Sequence, residues 1–267
     1  MKTSLRNCLA ELLLSSFNES EKHIALNWLS AFCQIASQRE RPEIPLPELL
    51  STQGLARSQI GSDVETALAH LLQPGKLLQI RRAETSEVPQ VFNGSMLGPV
   101  EANLWLIEPQ PNVRAAFPEV CERVRIYADL VTQTQAIGMT SSAQDPLRKA
   151  MAEATLCFNA GLFFEAHEHL EHYWAMEPKG PTKRLLQGII QISVGFHHAC
   201  QGKYDGAINQ LGKGLEKMIG TTGEFLGLDC DAFLPEVKAV RDAVIKRGRA
   251  RMCPFPLSGI PRMRIRV

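Results

Sequence analysis

The sequence predicts a mainly α-helical protein: a C-terminal helical bundle preceded by a winged-helix-like α+β N-terminal domain. Three observations predict it. From Glu119 onward each apolar segment repeats at helical spacing, with glycines 161, 202 and 220 where C-caps belong and Pro146 at a first-turn position. Before that, three helical segments precede two short runs of strand composition, which is winged-helix order. Finally, 45% hydrophobic and 21% charged residues over 267 positions suit an ordinary soluble chain with a sizeable core. The predicted division is a winged-helix-like domain over 1–110, a connecting helix and linker over 111–145, the bundle over 146–250 and a basic tail over 251–267.

Taken in order, "MKTSLRNCLAELLLSS" imitates a signal peptide through Lys2 and Arg6, but Glu11 interrupts its apolar run and no small-residue cleavage site follows. It is read as a short amphipathic helix. "SEKHIALNWLSAFCQIAS" sets Ile24, Trp28, Phe32 and Ile35 at helical spacing behind a cap at Ser20. "RPEIPLPELLSTQGL" predicts a Pro-rich loop and a short helix ending at Gly54; "GSDVETALAHLLQPG" predicts a third helix, from a cap at Ser62 or Asp63 to a stop at Pro74-Gly75. "KLLQIRR" and "ANLWLIE" follow as strands, and "EPQPNVRAAFP" as the connector between the halves. The helices of the second half are "EVCERVRIYADLVTQTQAI", "DPLRKAMAEATLCFNAG", the His-rich stretch discussed below, "TKRLLQGIIQISVGFHHACQG", "YDGAINQLGKGLEKMIG" and "CDAFLPEVKAVRDAVIKRG".

Charge and cysteine content narrow the function classes. With a net charge of +1, no global field draws the chain to nucleic acid or membrane. No segment approaches the roughly 20 apolar residues of a membrane span. The seven cysteines stand singly, with no C-x-x-C pair and an odd total, which argues against a disulfide framework or a zinc knuckle and for reduced thiols in the cytoplasm. A DNA-reading third helix needs Arg, Lys, Asn or Gln at its start, whereas this one begins with Asp63 and Glu65. Only Arg81 and Arg82 on the wing compensate, so packing or protein contact is the expected role of this half. The tail carries Lys246, Arg247, Arg249, Arg251, Arg262, Arg264 and Arg266 without an acid. Its "RMRIRV" alternates like a half-buried strand and is expected to join the sheet of the first half, or else the tail is solvated or forms a charge-guarded edge strand; contact with RNA or another polyanion is the alternative.

"EAHEHLEHYW", residues 165–174, is the richest stretch chemically. On a helix, His167, Leu170, Glu171 and Trp174 share one stripe with Phe163, bordered by Phe164, and the aromatic company marks it as the buried one. Glu165, Glu168, His169 and His172 are expected to point outward as solvated i,i+4 pairs. "MEPKGPT" makes a tight connection, so the next helix runs antiparallel, with Gln187 level with Glu171 and Gln191 level with His167. His198 shares the stripe of the two glutamines, and Gly188 and Gly195 beside it let a neighbouring helix approach closely. His167, Glu171, Gln187 and Gln191 are thus expected to converge on a polar region walled by Phe163, Phe164 and Trp174, with His198 at its edge. Amides beside a buried carboxylate and imidazole satisfy hydrogen bonds that burial would otherwise leave open, which is also the reason a purely structural cluster would exist. A divalent metal would draw on His167, Glu171 and His198, but two strong ligands fall short of what zinc takes, and the H-E-x-x-H spacing is absent.

These residues resemble a bacterial and archaeal family, domain of unknown function 309. Its H-x-x-x-E-x-x-W signature is filled by His167, Glu171 and Trp174, its glutamine repeat by Gln187 and Gln191, and its helix-closing histidine by His198; His197 stands where the family often has an aromatic residue. The resemblance spans roughly residues 146–245. It implies a small helical bundle with a polar pocket and implies no reaction.

The leading functional expectation is a small-ligand-binding or protein-interaction module whose contacts are His167, Glu171, Trp174, Gln187, Gln191 and His198. One alternative is a metal-assisted hydrolase with Glu171 as general base, or with His167 as base oriented by Glu171. The other is a regulator binding nucleic acid through the winged-helix-like half and the basic tail. No Ser or Cys sits in a nucleophile motif, Cys200 being read as packing. Assembly into a homo-oligomer stays open.

Overall fold

The computed structural model describes residues 1–46, 48–49, 77–82, 105–138 and 145–265, which form two compact units, Met1–Gln133 and Thr134–Val267. The expected helix ending at Gly54 and the expected third helix, with Asp63, Glu65 and the Pro74-Gly75 stop, lie outside the described residues. Among the described residues the architecture is mainly helical, with a small antiparallel sheet in the first unit.

In the first unit, α1 (Thr3–Ser16) and α2 (Ser20–Ala36) pack as an antiparallel pair. Leu9 and Leu13 meet the unit's core from one, and Ala25, Leu26, Trp28, Leu29 and Phe32 from the other. Ser20 is the first helical residue rather than the cap; Glu19 holds the cap position without a side-chain bond, so packing of the apolar face sustains this helix end. Strand β1 (Ile44–Pro45) pairs with β3 (Trp105–Pro109), which pairs with β2 (Leu78–Arg82), giving the antiparallel order β1-β3-β2.

Glu108 on β3 is 2% exposed and resolves its burial with three donors: Gln79 Nε2 at 2.6 Å, Arg114 Nη2 at 2.7 Å and Arg81 Nε at 3.3 Å. Arg81 also reaches Glu43 at 2.9 Å. These two carboxylates account for Arg81, one of the two basic residues on the expected wing. The supposed connector is likewise part of this unit. Pro111 opens a single turn, α3 (Pro111–Arg114), whose Arg114 ties it to Glu108, and α4 (Phe117–Gly138) follows directly.

The second unit is a bundle of α5 (Pro146–Asn159), α6 (Phe163–Met176), α7 (Pro181–Cys200), α8 (Tyr204–Lys217) and α9 (Cys230–Arg247), with a two-stranded ribbon, β4 (Glu224–Phe225) and β5 (Leu228–Asp229), before the last helix. Asp145 caps α5 by accepting from the amides of Leu147 and Arg148. Phe158 lies at the centre of the core, edge-on to Phe163, Phe196 and Phe233 at 4.9, 5.6 and 5.7 Å. The close approach expected at Gly188 and Gly195 is made with α8: a Cβ on Gly195 would sit 2.7 Å from the Leu211 side chain, and one on Gly214 2.7 Å from the Gly188 carbonyl.

The basic tail is not a solvated appendage, and its pairing with the first sheet is corrected. Residues 253–265 strap the bundle: the Phe255 amide donates to the Ala199 carbonyl at the end of α7, the Asn159 amide side chain pairs with both backbone groups of Met263 at 2.9 Å, and Ile265 bridges to Leu228 on β5. The alternation in "RMRIRV" buries Met263, whose 3% exposure contrasts with open Arg262 and Arg264. Arg249 pairs with Asp205 at 2.5 Å, and Arg247 lies over the Phe255 ring. Among the described residues no helix is long and apolar enough to cross a membrane.

Candidate functional site

Helix α6 is flanked by α5 on one side and α7 on the other, so its buried arc is wider than one stripe. This overturns the expected sorting of its polar residues. Glu165 and His169, expected in water, are 0% and 4% exposed. They face away from the His167 stripe, on the arc that α5 covers. There His169 Nε2 meets Glu153 Oε2 of α5 at 2.8 Å, with both side chains about as buried as the core. Lys149 stands 3.7 Å from the other Glu153 oxygen. Burial, followed by the charges of Glu165 and Glu153, pushes the Cys157 thiol well above its ordinary range, and burial with Glu153 raises the Tyr173 hydroxyl. Sequence reasoning missed Glu153 altogether. The signal was a lone acid in "AMAEATLCF", where Ala150, Met151, Ala154, Cys157 and Phe158 are all core residues.

Glu171, expected in the buried stripe, has a side chain 52% exposed, while His167 is 16% exposed. The reason is geometric: α7 covers the stripe at Phe163, Phe164 and Leu170 but leaves the flank beyond His167 open. His167 Nδ1 lies 3.0 Å from the Phe164 carbonyl, which can only accept, so the ring hydrogen sits on Nδ1. Nε2 then faces two carboxylates, Glu171 and Glu168, each at 3.3 Å. These three side chains are, among the described residues, the group able to offer ligand atoms to one metal ion, all within 4.8 Å of one another. Glu168, expected only as a solvated partner of His172, joins His167 and Glu171 in place of His198.

Two contacts set the register of α6 against α7. The Phe164 and His197 rings lie 6.0 Å apart near one end, and Lys183 Nζ stands 4.8 Å over the Trp174 ring near the other. The residues of α7 expected level with Glu171 and His167 are Gln187 and Gln191. Both glutamines are half-buried. Gln191 Oε1 and Trp174 Nε1 are sequestered from solvent without a hydrogen-bond partner among the described residues. His198 belongs to a different contact: its ring packs on α8, where a Cβ on Gly206 would meet it at 2.7 Å. Burial, and secondarily the Lys203 charge, lower its pKa from the ordinary 6.5. His197 is held by Gln201 at 2.7 Å, and burial raises the Cys200 thiol, in keeping with a packing role. An open groove of about 410 Å³ lies elsewhere, at Pro181, Arg184, Leu185, Ile219, Thr221 and Phe225, and includes none of these residues.

A stretch of 95 residues is 26% identical to an uncharacterised protein of Aquifex aeolicus (strain VF5), covering 36% of this chain and 27% of that one. Another of 84 residues is 30% identical to the uncharacterised protein YpuF of Bacillus subtilis (strain 168), covering 31% of this chain and 48% of the relative. The chain thus spans about half or less of the length of these relatives. Residues 151–210, from α5 through the first turns of α8, match the family model described as Domain of unknown function (DUF309).

Proposed function

We propose that the second unit is a binding module for a small ligand with a cationic or donor-rich polar group, seated on the open flank of α6 with contacts from His167, Glu171, Gln187 and Gln191 and with Trp174 as wall. One observation carries the reading. With Nδ1 turned to the Phe164 carbonyl, Nε2 of His167 is the nitrogen that faces Glu171 and Glu168, each at 3.3 Å. Two carboxylates converging on one ring nitrogen make an acidic point at which a cation or a set of donors can be held. On the same two helices, the Gln191 oxygen and the Trp174 indole nitrogen are an acceptor and a donor buried without a hydrogen-bond partner among the described residues.

A divalent cation is the second reading, favoured by distance. Bonds of about 2.0–2.2 Å to imidazole nitrogen and carboxylate oxygen put neighbouring ligand atoms about 3.3–3.6 Å apart in a tetrahedron, and the distance between Nε2 and each carboxylate is 3.3 Å. The Nδ1 bond to a backbone carbonyl is also the arrangement that orients a ligating histidine. Calorimetric titration of the full chain with manganese, zinc and simple alkylammonium ions separates the readings. Saturable binding of an ammonium ion, lost in His167→Ala and Glu171→Gln, supports the first; saturable metal binding lost in the same variants supports the second. No saturable binding of any of the three, or binding that survives both substitutions, refutes the site.

A further inference from the structure

The open groove of the second unit lies between the start of α7 and the segment that leads from α8 into the ribbon. Its volume of about 410 Å³ falls within the roughly 300–1,000 Å³ of small-molecule sites. The lining divides into two chemistries. Leu185, Ile219 and Phe225 make an apolar part, and Ile219 is 71% exposed, more than any other large apolar side chain among the described residues. Arg184 and the hydroxyls of Thr221 and Thr222 make a polar part. Single apolar side chains on a surface are ordinary; this one walls a concavity that also holds a guanidinium.

Arg184 is the uncommitted charge of the groove. Its Nη2 donates to the Glu216 carbonyl at the end of α8 at 3.3 Å, and among the described residues no carboxylate pairs with it. That bond fixes one end of the guanidinium and leaves its remaining N–H groups available. Neither Thr221 nor Thr222 spends its hydroxyl on a protein partner among the described residues. Glu224, the one acid in the lining, is answered within the protein: its Oε1 meets Arg148 of α5 at 2.6 Å and accepts the Gly227 amide at 3.0 Å. Arg184, Arg148 and Glu224 together leave one positive charge, which matches a singly charged anion.

The walls are set before any ligand arrives. The Thr221 amide donates to the Met218 carbonyl at 3.0 Å, the Gly223 amide to Asp231 Oδ2 at 2.9 Å, and the Cys230 amide to the Gly223 carbonyl at 2.9 Å, so the segment is pinned at both ends. The ribbon turns through two residues with positive φ, Leu226 at 50° and Gly227 at 90°. A leucine takes that conformation only where its surroundings hold it, which keeps Phe225 in place. A preformed groove spares a ligand the cost of ordering these segments.

We propose that this groove binds a small amphipathic monocarboxylate. The carboxylate lies on Arg184, whose planar fork offers parallel N–H donors to two oxygens, with the threonine hydroxyls as further donors. The short hydrocarbon body covers Leu185, Ile219 and Phe225. A cation of the same shape meets the Arg184 charge and is repelled. The groove shares no residue with the open flank of α6, so the proposal stands apart from the reading of that flank.

The test titrates the full chain, methyl-labelled at isoleucine, with octanoate, octylammonium and acetate, and follows the Ile219 methyl resonance, assigned through Ile219→Val. The expected result is a saturable shift with octanoate, a much weaker response to acetate, which lacks the body, and none with octylammonium. Arg184→Gln should weaken octanoate about tenfold or more, the loss of a hydrogen bond to a charged group. Arg184→Glu should exchange the preference to octylammonium, and Arg251→Gln, an exposed arginine outside the groove, should bind octanoate as the native chain does. Arg184 is exposed, so these variants leave the core intact. Absence of a saturable shift with octanoate, an equal response to octylammonium, or native affinity in Arg184→Gln overturns the proposal. So does an unchanged preference in Arg184→Glu, or an equal loss in Arg251→Gln.

Discussion

Replacing His169 by leucine removes one member of a pair that the bundle has taken almost wholly out of water. The Nε2–Glu153 separation is 2.8 Å and the two side chains are 5% and 4% exposed. Among the described residues, a carboxylate left in that position retains Lys149, 3.7 Å away and itself half in solvent. Breaking a buried pair by deleting one partner costs about 3–5 kcal/mol, whereas replacing both by apolar residues of similar size is often near neutral. With about 2.1 cal/mol/K of unfolding entropy per residue, a unit spanning Thr134–Val267 should melt roughly 11–18 °C lower in His169→Leu. Glu153→Leu should fall by a comparable amount, and Glu153→Leu/His169→Leu should recover most of the loss. Thermal unfolding by circular dichroism measures the shift, and hydrogen-exchange mass spectrometry of α5 and α6 assigns it to this unit. If His169→Leu stays within about 1 kcal/mol of the native protein, or if the double variant is no better than the worse single one, the argument that this pair fastens α5 to α6 fails.

Two further outcomes follow from the same unit. Gly195→Ala should destabilise it by about 1–3 kcal/mol, because the added methyl meets Leu211 backbone nitrogen at 2.9 Å as well as its side chain; a melt unchanged from wild type would mean α7 and α8 can separate freely. For His198, a folded-state pKa below the ordinary 6.5 means that the unfolded chain binds the proton more tightly. Its stabilising contribution is therefore full above 6.5 and is lost as pH falls through that value toward the folded one. His198→Gln should melt with a weaker decline between about pH 7.5 and pH 5.5 than the native chain, and an identical decline in the two would refute this assignment.

The helices of the second unit were legible because each level of the sequence agreed: apolar spacing, Asp145 and Pro146 at the start of α5, and Gly161, Gly202 and Gly220 past helix ends, each with a positive φ. The antiparallel register of α6 and α7 could be counted for the same reason, since a connection of four residues, 177–180, leaves no other arrangement. The faces of α6 were not legible. A periodicity argument allots one buried stripe to a helix, and α6 has two neighbours; the partner that makes His169 a core residue is Glu153, sixteen positions earlier on another helix. The partners of Arg81 and Arg249 were hidden for a related reason. Charge counted along a chain does not reveal that Glu43, Glu108 and Asp205 lie opposite those guanidinium groups in the fold.

The strap has an implication for where this domain begins and stops. The segment recognised by family comparison finishes within α8, but the hinge after α5, the turn after α7 and the outer edge of the ribbon are each covered by residues 254–265: Leu257 lies against Gly161, Pro254 against Gly202 and Ile265 beside Leu228. An excised fragment limited to the recognised segment would uncover those places and lose Phe233 from beside Phe158. A fragment that keeps these contacts runs from Asp145 to at least Ile265, and any tag grafted near Met263 would compete with Asn159 for the backbone it holds.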